Sequence, residues 1–362
     1  AAIVDDLEVY GIDNIKEVID FFDQGTPLQQ TIIDTKEEFY KSLDFPEFDF
    51  SDVKGQESIK RCMEIAAAGG HNIILIGPPG AGKTMLAKRL PSILPPMTLH
   101  EALETTKIHS VVGKIKNMGL MNQRPFRSPH HTISDVALVG GGAYPQPGEI
   151  SLSHNGVLFL DELPEFKRGV LEVMRQPLED REVTISRARF TVTYPSSFML
   201  VASMNPSPGG YFNDPDAPVT SSPAEMQRYL SKISGPLLDR IDIHIEVTPV
   251  PFEKLSEERK GEGSVEIRKR VTAAREIQTQ RFAEIENVHY NAQMNTKHIR
   301  KYCIMDDASK ELLKNAMERL NLSARAYDRI LKVARTIADL YKKRWDIELF
   351  FKAIKQNLQI KT

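Results

Sequence analysis

His71-Asn-Ile-Ile-Leu-Ile76-Gly77-Pro78-Pro79-Gly80-Ala81-Gly82-Lys83-Thr84 is the stretch on which the fold turns. A short apolar run, 71–76, enters a glycine-rich turn, and a helix-length segment from about Thr84 to Leu94 leaves it. Strand, then G-x-x-x-x-G-K-T, then helix is the context a phosphate-binding P-loop requires. Glycines let backbone N–H groups close around phosphate oxygens, and the start of a helix adds a favourable dipole. Gly77, Pro78, Pro79, Gly80, Ala81 and Gly82 form that cradle. Lys83 then sets a cation on the β- and γ-phosphates of a nucleoside triphosphate, and the Thr84 hydroxyl becomes a ligand for Mg²⁺.

Working outward, the next apolar run is Val157-Leu-Phe-Leu-Asp161-Glu162. Asp161 at the strand end would complete the Mg²⁺ shell, and Glu162 would orient or deprotonate an attacking water. A lone apolar run ending in two acids says little, but downstream of a P-loop it predicts hydrolysis. A third run, Phe198–Ser203, ends at Met204-Asn205. Asn205 can hydrogen-bond the γ-phosphate or the water, although alone it would read as an Asx turn before Pro206. Such runs alternating with helix-length segments predict an α/β fold, a parallel sheet with helical crossovers.

Residues 107–150 are rich in Gly, Pro and His with little periodicity, and read as a long loop insertion of functional length. Residues 182–194 alternate with period two around a basic tip at Arg187 and Arg189, which predicts a β-hairpin. From about Glu253 the pattern is helical with charged faces. The expected organisation is therefore an ATPase-type domain over 51–250 and a small helical lid over 251–340.

Composition sets outer limits. A chain of 362 residues has room for two or three cores. A net charge of −2 gives no overall pull toward a polyanion, so any nucleic-acid surface must be a local patch. Cys62 and Cys303 form no CxxC pair, which argues against a disulfide framework or a cysteine zinc site. The longest apolar runs are far too short to span a bilayer, and no basic-then-apolar leader opens the chain. A cytoplasmic location, with no membrane partner, is the resulting expectation.

Four strings are long enough to carry a family resemblance: Phe126-Arg-Ser-Pro-His-His-Thr132, Gly148-Glu-Ile-Ser-Leu-Ser-His-Asn-Gly156, Ile233-Ser-Gly-Pro-Leu-Leu-Asp-Arg240-Ile-Asp242, and Ser323-Ala-Arg325-Ala-Tyr327. On these the chain, from about Val53 to Leu340, resembles the magnesium-chelatase-like AAA+ ATPases, in the branch of the competence protein ComM (YifB). The resemblance implies Mg²⁺-dependent ATP hydrolysis by a homo-oligomeric ring, a hexamer in this class. It implies that Val53, Gly55 and Gln56 line the adenine pocket. Arg240 matches the arginine finger that reaches a neighbouring subunit's γ-phosphate, and Arg325 matches the sensor-2 arginine of the lid. A guanidinium suits such a role because it neutralises charge on a transferring phosphoryl group. Without the family, Arg240 between two aspartates reads as a surface ion pair.

Relatives of the ComM type remodel DNA, so DNA is the implied partner. Candidate contacts are Lys114, Lys116, Arg124, Arg127, Arg187 and Arg189, since phosphate contacts need only positive charge. A chelatase motor subunit, or a truncated nucleotide-binding protein without motor activity, are the alternatives. The chain departs from the family where thiolates stand in typical members. Here those positions read Ser207-Pro-Gly209 and Thr220-Ser-Ser222, so no zinc is expected. His130 and His131 read as core or loop histidines. Residues 1–50 are expected to be a linker plus the exit of an upstream Lon-like domain. Beyond Leu340, Tyr341-Lys-Lys-Arg344-Trp-Asp-Ile-Glu348 and Lys355 resemble the Y-R-E-K segment of DDE insertion-sequence transposases. Residues 341–362 are accordingly expected to be foreign to the motor, with Glu348 catalytically silent.

Overall fold

The computed structural model describes residues 8–30, 48–113, 120–142, 144–186, 190–209, 222–251 and 261–341. Lys114, Lys116, Arg187, Arg189 and the segment 342–362 lie outside them. Helix α1 (Ile15–Gln24) begins where the Asn14 side chain accepts the Lys16 and Glu17 N–H groups, and ends at Gly25 with φ 63°. Helix α2 (Glu57–Gly69), strand β1 (Ile73–Ile76) and helix α3 (Lys83–Arg89) follow in the order the P-loop demands. Helix α3 is shorter than its sequence suggested. Pro91 lies in the 3₁₀ turn Leu90–Ile93, where it can supply no N–H to continue the α-helical ladder.

Helix α4 (Leu99–Val111) opens with a Thr98–Glu101 capping box. After it come β2 (Phe126–Arg127), α5 (Asp135–Val139), β3 (Gly140–Gly141), β4 (Gln146–Pro147) and α6 (Glu149–Leu152). The stretch 107–150 is thus not one loop: it supplies a sheet strand, two short helices and a small hairpin. Elements of two to five residues are too short to show a period. Next are β5 (Val157–Leu160), α7 (Arg168–Glu172), α8 (Arg175–Asp180), β6 (Glu182–Ser186), β7 (Thr191–Pro195) and β8 (Met199–Met204). Strands β6 and β7 pair antiparallel, as the alternation required. Helices α9 (Pro223–Ser231) and α10 (Gly235–Leu238) precede β9 (Ile243–Glu246). The C-terminal region is helical: α11 (Ser264–Arg281), α12 (Thr296–Tyr302), α13 (Asp307–Leu320) and α14 (Ala324–Tyr341).

The main sheet runs β2-β5-β8-β1-β9, and every pairing in it is parallel. Successive side chains of a strand take opposite faces. Ile73, Leu75, Val157 and Phe159 therefore join one core with Phe50, Met63 and Leu86. Ile74, Leu158 and Leu160 join the other with Met174 and Leu237. Both faces are covered, which is why these strands read as continuous apolar runs. Helix α11 adds Ile267, Val271 and Ala274 to the first core, so the helical region is anchored on the sheet rather than hinged free of it. Its own cluster holds Phe282, Met294, Leu313 and Leu331. A polar seam joins the two. Buried His71 bonds Asp242 through Nδ1 at 3.0 Å and the Thr336 hydroxyl through Nε2 at 2.8 Å.

Candidate nucleotide-binding site

The P-loop leaves β1 at Gly77, whose N–H donates to Met204 O at 3.2 Å. A Cβ there would collide with the Val247 carbonyl, so glycine is the residue that fits. Gly80 and Gly82 adopt φ 78° and 89°, the left-handed region that side chains avoid. Lys83 is only 9% exposed. Its Nζ donates to Gly77 O at 2.6 Å, Pro78 O at 3.0 Å and Asn205 Oδ1 at 3.0 Å. Burial lowers the Lys83 pKa, while the charges of Asp161 and Glu162 pull the other way.

The ends of β5 and β8 close the site. Thr84 Oγ1 donates to Asp161 Oδ2 at 2.8 Å. The Ser203 hydroxyl donates to the other Asp161 oxygen and accepts the Glu162 N–H at 3.2 Å. Glu162 itself is held at φ 54°, with its side chain 60% exposed and His131 Nδ1 3.8 Å from its carboxylate. Asn205, besides meeting Lys83, accepts the Tyr229 hydroxyl on its backbone carbonyl at 3.1 Å. Burial pushes the Tyr229 pKa up to about 12. Gln56 Nε2 ties the segment of Val53 and Gly55 to the P-loop, donating to Ala81 O at 3.1 Å and Thr248 O at 3.0 Å. A hydroxyl and a carboxylate side by side at Thr84 and Asp161 are hard oxygen donors, a fit for Mg²⁺.

Arg240 and Arg325 come together elsewhere. They line one cavity of about 440 Å³ with Glu179, Asp239, Arg329 and Lys332, and no P-loop residue lines it. Arg240 donates through Nη1 to Pro236 O at 2.7 Å and through Nη2 to Glu179 at 2.5 Å. Arg325 faces Asp239 at 3.7 Å. Arg329 caps the end of α10, donating to Leu238 O and Ile241 O. One group of residues therefore centres on Lys83, and a second on Arg240.

The profile of magnesium chelatase, subunit ChlI, matches residues 49–255. The chain belongs to this family. The ChlI C-terminal profile matches residues 261–349. Competence protein ComM of Haemophilus influenzae is 46% identical over 343 residues, 94% of this chain and 66% of that protein. The uncharacterized protein YifB of Salmonella typhimurium is 49% identical over 312 residues, 86% of this chain and 59% of that one. The chain thus spans about two thirds or less of the length of these relatives. The magnesium-chelatase 67 kDa subunit of Heliobacterium mobile is 26% identical over 187 residues, 44% of this chain and 28% of its own.

In this ChlI-family chain two of the candidate DNA contacts, Arg124 and Arg127, are bonded within the chain. The Arg124 guanidinium donates to the Pro95, Pro96 and Asn155 carbonyls and to Glu101. Arg127 forms a two-pronged pair with Glu149 at 2.5 and 2.6 Å. Arg124 ties the insertion to Pro95, Pro96, Glu101 and Asn155 outside it, whereas Arg127 links two parts of the insertion itself. Sequence reasoning also missed Ser203, Tyr229, His131 and Asn72. The Asn72 amide accepts the Leu200 N–H at 2.8 Å and donates to the Arg240 carbonyl at 2.9 Å. The one signal pointing to Ser203 is a hydroxyl inside an otherwise apolar strand end.

Proposed function

We propose that this chain is a Mg²⁺-dependent ATPase motor that works as a homo-oligomeric ring on DNA. The observation that carries it is the unbroken contact line Thr84–Asp161–Ser203–Glu162, with Lys83 and Asn205 alongside. Lys83 holds the β- and γ-phosphates as a point charge, and Asn205 fixes where its ammonium sits. Thr84 and Asp161 would hold Mg²⁺, which would neutralise phosphate charge when bound. Glu162, whose carboxylate is the exposed member of the line, takes a proton from water as the water oxygen bonds to the γ-phosphorus. The bond from that phosphorus to the β–γ bridging oxygen breaks, and ADP leaves with the electron pair.

The ring is supported by the separation of Arg240 and Arg325 from the P-loop: guanidiniums so placed serve the nucleotide of a neighbouring copy. DNA is supported by the name of the Haemophilus relative, a competence protein, and by Arg187 and Arg189, which fall in sequence between β6 and β7. The chelatase reading has its own support in the family name and the Heliobacterium subunit. Phosphate release with Mg²⁺, with and without forked DNA, separates them: DNA should raise turnover, and indifference to DNA would remove it as the partner. Arg240→Ala protein should bind ATP and hydrolyse it poorly, then regain activity when mixed with Lys83→Ala protein. A co-assembled mixture with no recovery would count against the ring.

A further inference from the structure

Helix α8 ends at Asp180, and a single left-handed residue, Arg181 at φ 59°, turns the chain into β6 of the hairpin. Glu179 sits in that last turn, 62% exposed, and is the ion partner of Arg240 among the described residues. Arg240 is otherwise fixed from its own side. Pro236 O takes Nη1, Asn72 takes its backbone carbonyl, and Nε is buried with no hydrogen-bond partner among the described residues. The guanidinium is anchored at one end, and Glu179 takes an anion-binding donor at the other.

We infer that Glu179 is a positioning residue that holds the Arg240 guanidinium back from a neighbouring copy's γ-phosphate, tying the finger to the root of the β6–β7 hairpin. This rests on the ring reading above. The chemistry is competition between two anions for one set of donors. A guanidinium recognises carboxylate and phosphate with the same planar N–H fork, so an oxygen of Glu179 on Nη2 occupies what a phosphoryl oxygen needs. The contact is strong in geometry yet weak in net effect, because the carboxylate is mostly in water. Such a pair exchanges readily, and a displacement of the hairpin that carried α8 with it would open it.

The test is the steady-state ATP turnover of the full chain with Mg²⁺ and without DNA, at concentrations where copies associate. Glu179→Gln and Glu179→Ala should each raise kcat about two- to fivefold, the span set by an exposed ion pair, with KM for ATP unchanged. Glu179→Asp, which keeps the charge on a shorter arm, should fall between them and the parent. Combining Glu179→Gln with Arg240→Ala should give the Arg240→Ala rate. An unchanged or lower kcat in both Glu179→Gln and Glu179→Ala, with Arg240→Ala still impaired, would overturn the restraint alone. Full turnover in Arg240→Ala would instead overturn the finger on which it depends.

Discussion

Deleting the Lys83 ammonium and deleting the Glu162 carboxylate should fail in different ways. Lys83→Ala removes a buried cation bonded to two loop carbonyls and Asn205, and should abolish nucleotide binding. Glu162→Gln spares Thr84 and Asp161, so binding should persist while turnover falls roughly a hundredfold or more, the usual contribution of a general base. Fluorescent-nucleotide titration and phosphate release read the two effects; full turnover in Glu162→Gln would remove that residue from the chemistry. These side chains could be picked out from the sequence because the expected reaction restricts their type: few residues other than Lys, Thr, Asp and Glu suit those positions. Ser203 was not legible. Its part depends on β8 lying beside β5, with Leu160 paired to Ala202, and nothing in a linear string declares that neighbour. His131 escaped for the same reason, since its distance to Glu162 is a property of how β2 returns to the sheet edge.

At the scale of elements, the apolar strands and the hairpin could be read from period alone, and the insertion could not. Strand β2 has two residues, yet it places Arg127 at Glu149 and leads the chain to His130 and His131. Charges there read as candidate DNA contacts because their acceptors are carbonyls and acids remote in sequence. Arg124 makes the point testable. Replacing it with alanine leaves the Pro95, Pro96 and Asn155 carbonyls and Glu101 without their shared donor. Stability should drop by about 1–3 kcal/mol, the penalty of unsatisfied polar groups, while affinity for DNA should hardly change. A denaturant midpoint and a DNA titration at one salt concentration check both halves. Preserved stability with weakened DNA binding would restore Arg124 as a contact.

Across the whole molecule, the end of the described chain modifies one sequence expectation. Tyr341, the first residue of the transposase-like Y-R-E-K segment, is the last residue of α14, and the Arg61 guanidinium lies 3.5 Å above its ring. The C-terminal ChlI profile also runs on to residue 349. We propose that any boundary with a foreign tail falls after Tyr341. Truncation at that residue should keep nucleotide binding and leave metal-dependent DNA cleavage unaltered; cleavage present in the full chain and lost on truncation would make Glu348 active after all. The seam through His71 has a consequence for biosynthesis. Its two partners lie 171 and 265 residues further along the chain. An emerging polypeptide can pair His71 with Asp242 long before Thr336 has left the ribosome, and an imidazole half-satisfied in a closed core is costly. We expect burial of this seam to wait for the last helix, since pairing over such separations is slow. Nascent chains stalled before α14 should stay sensitive to protease and depend on chaperones, although every strand of the sheet has already been made.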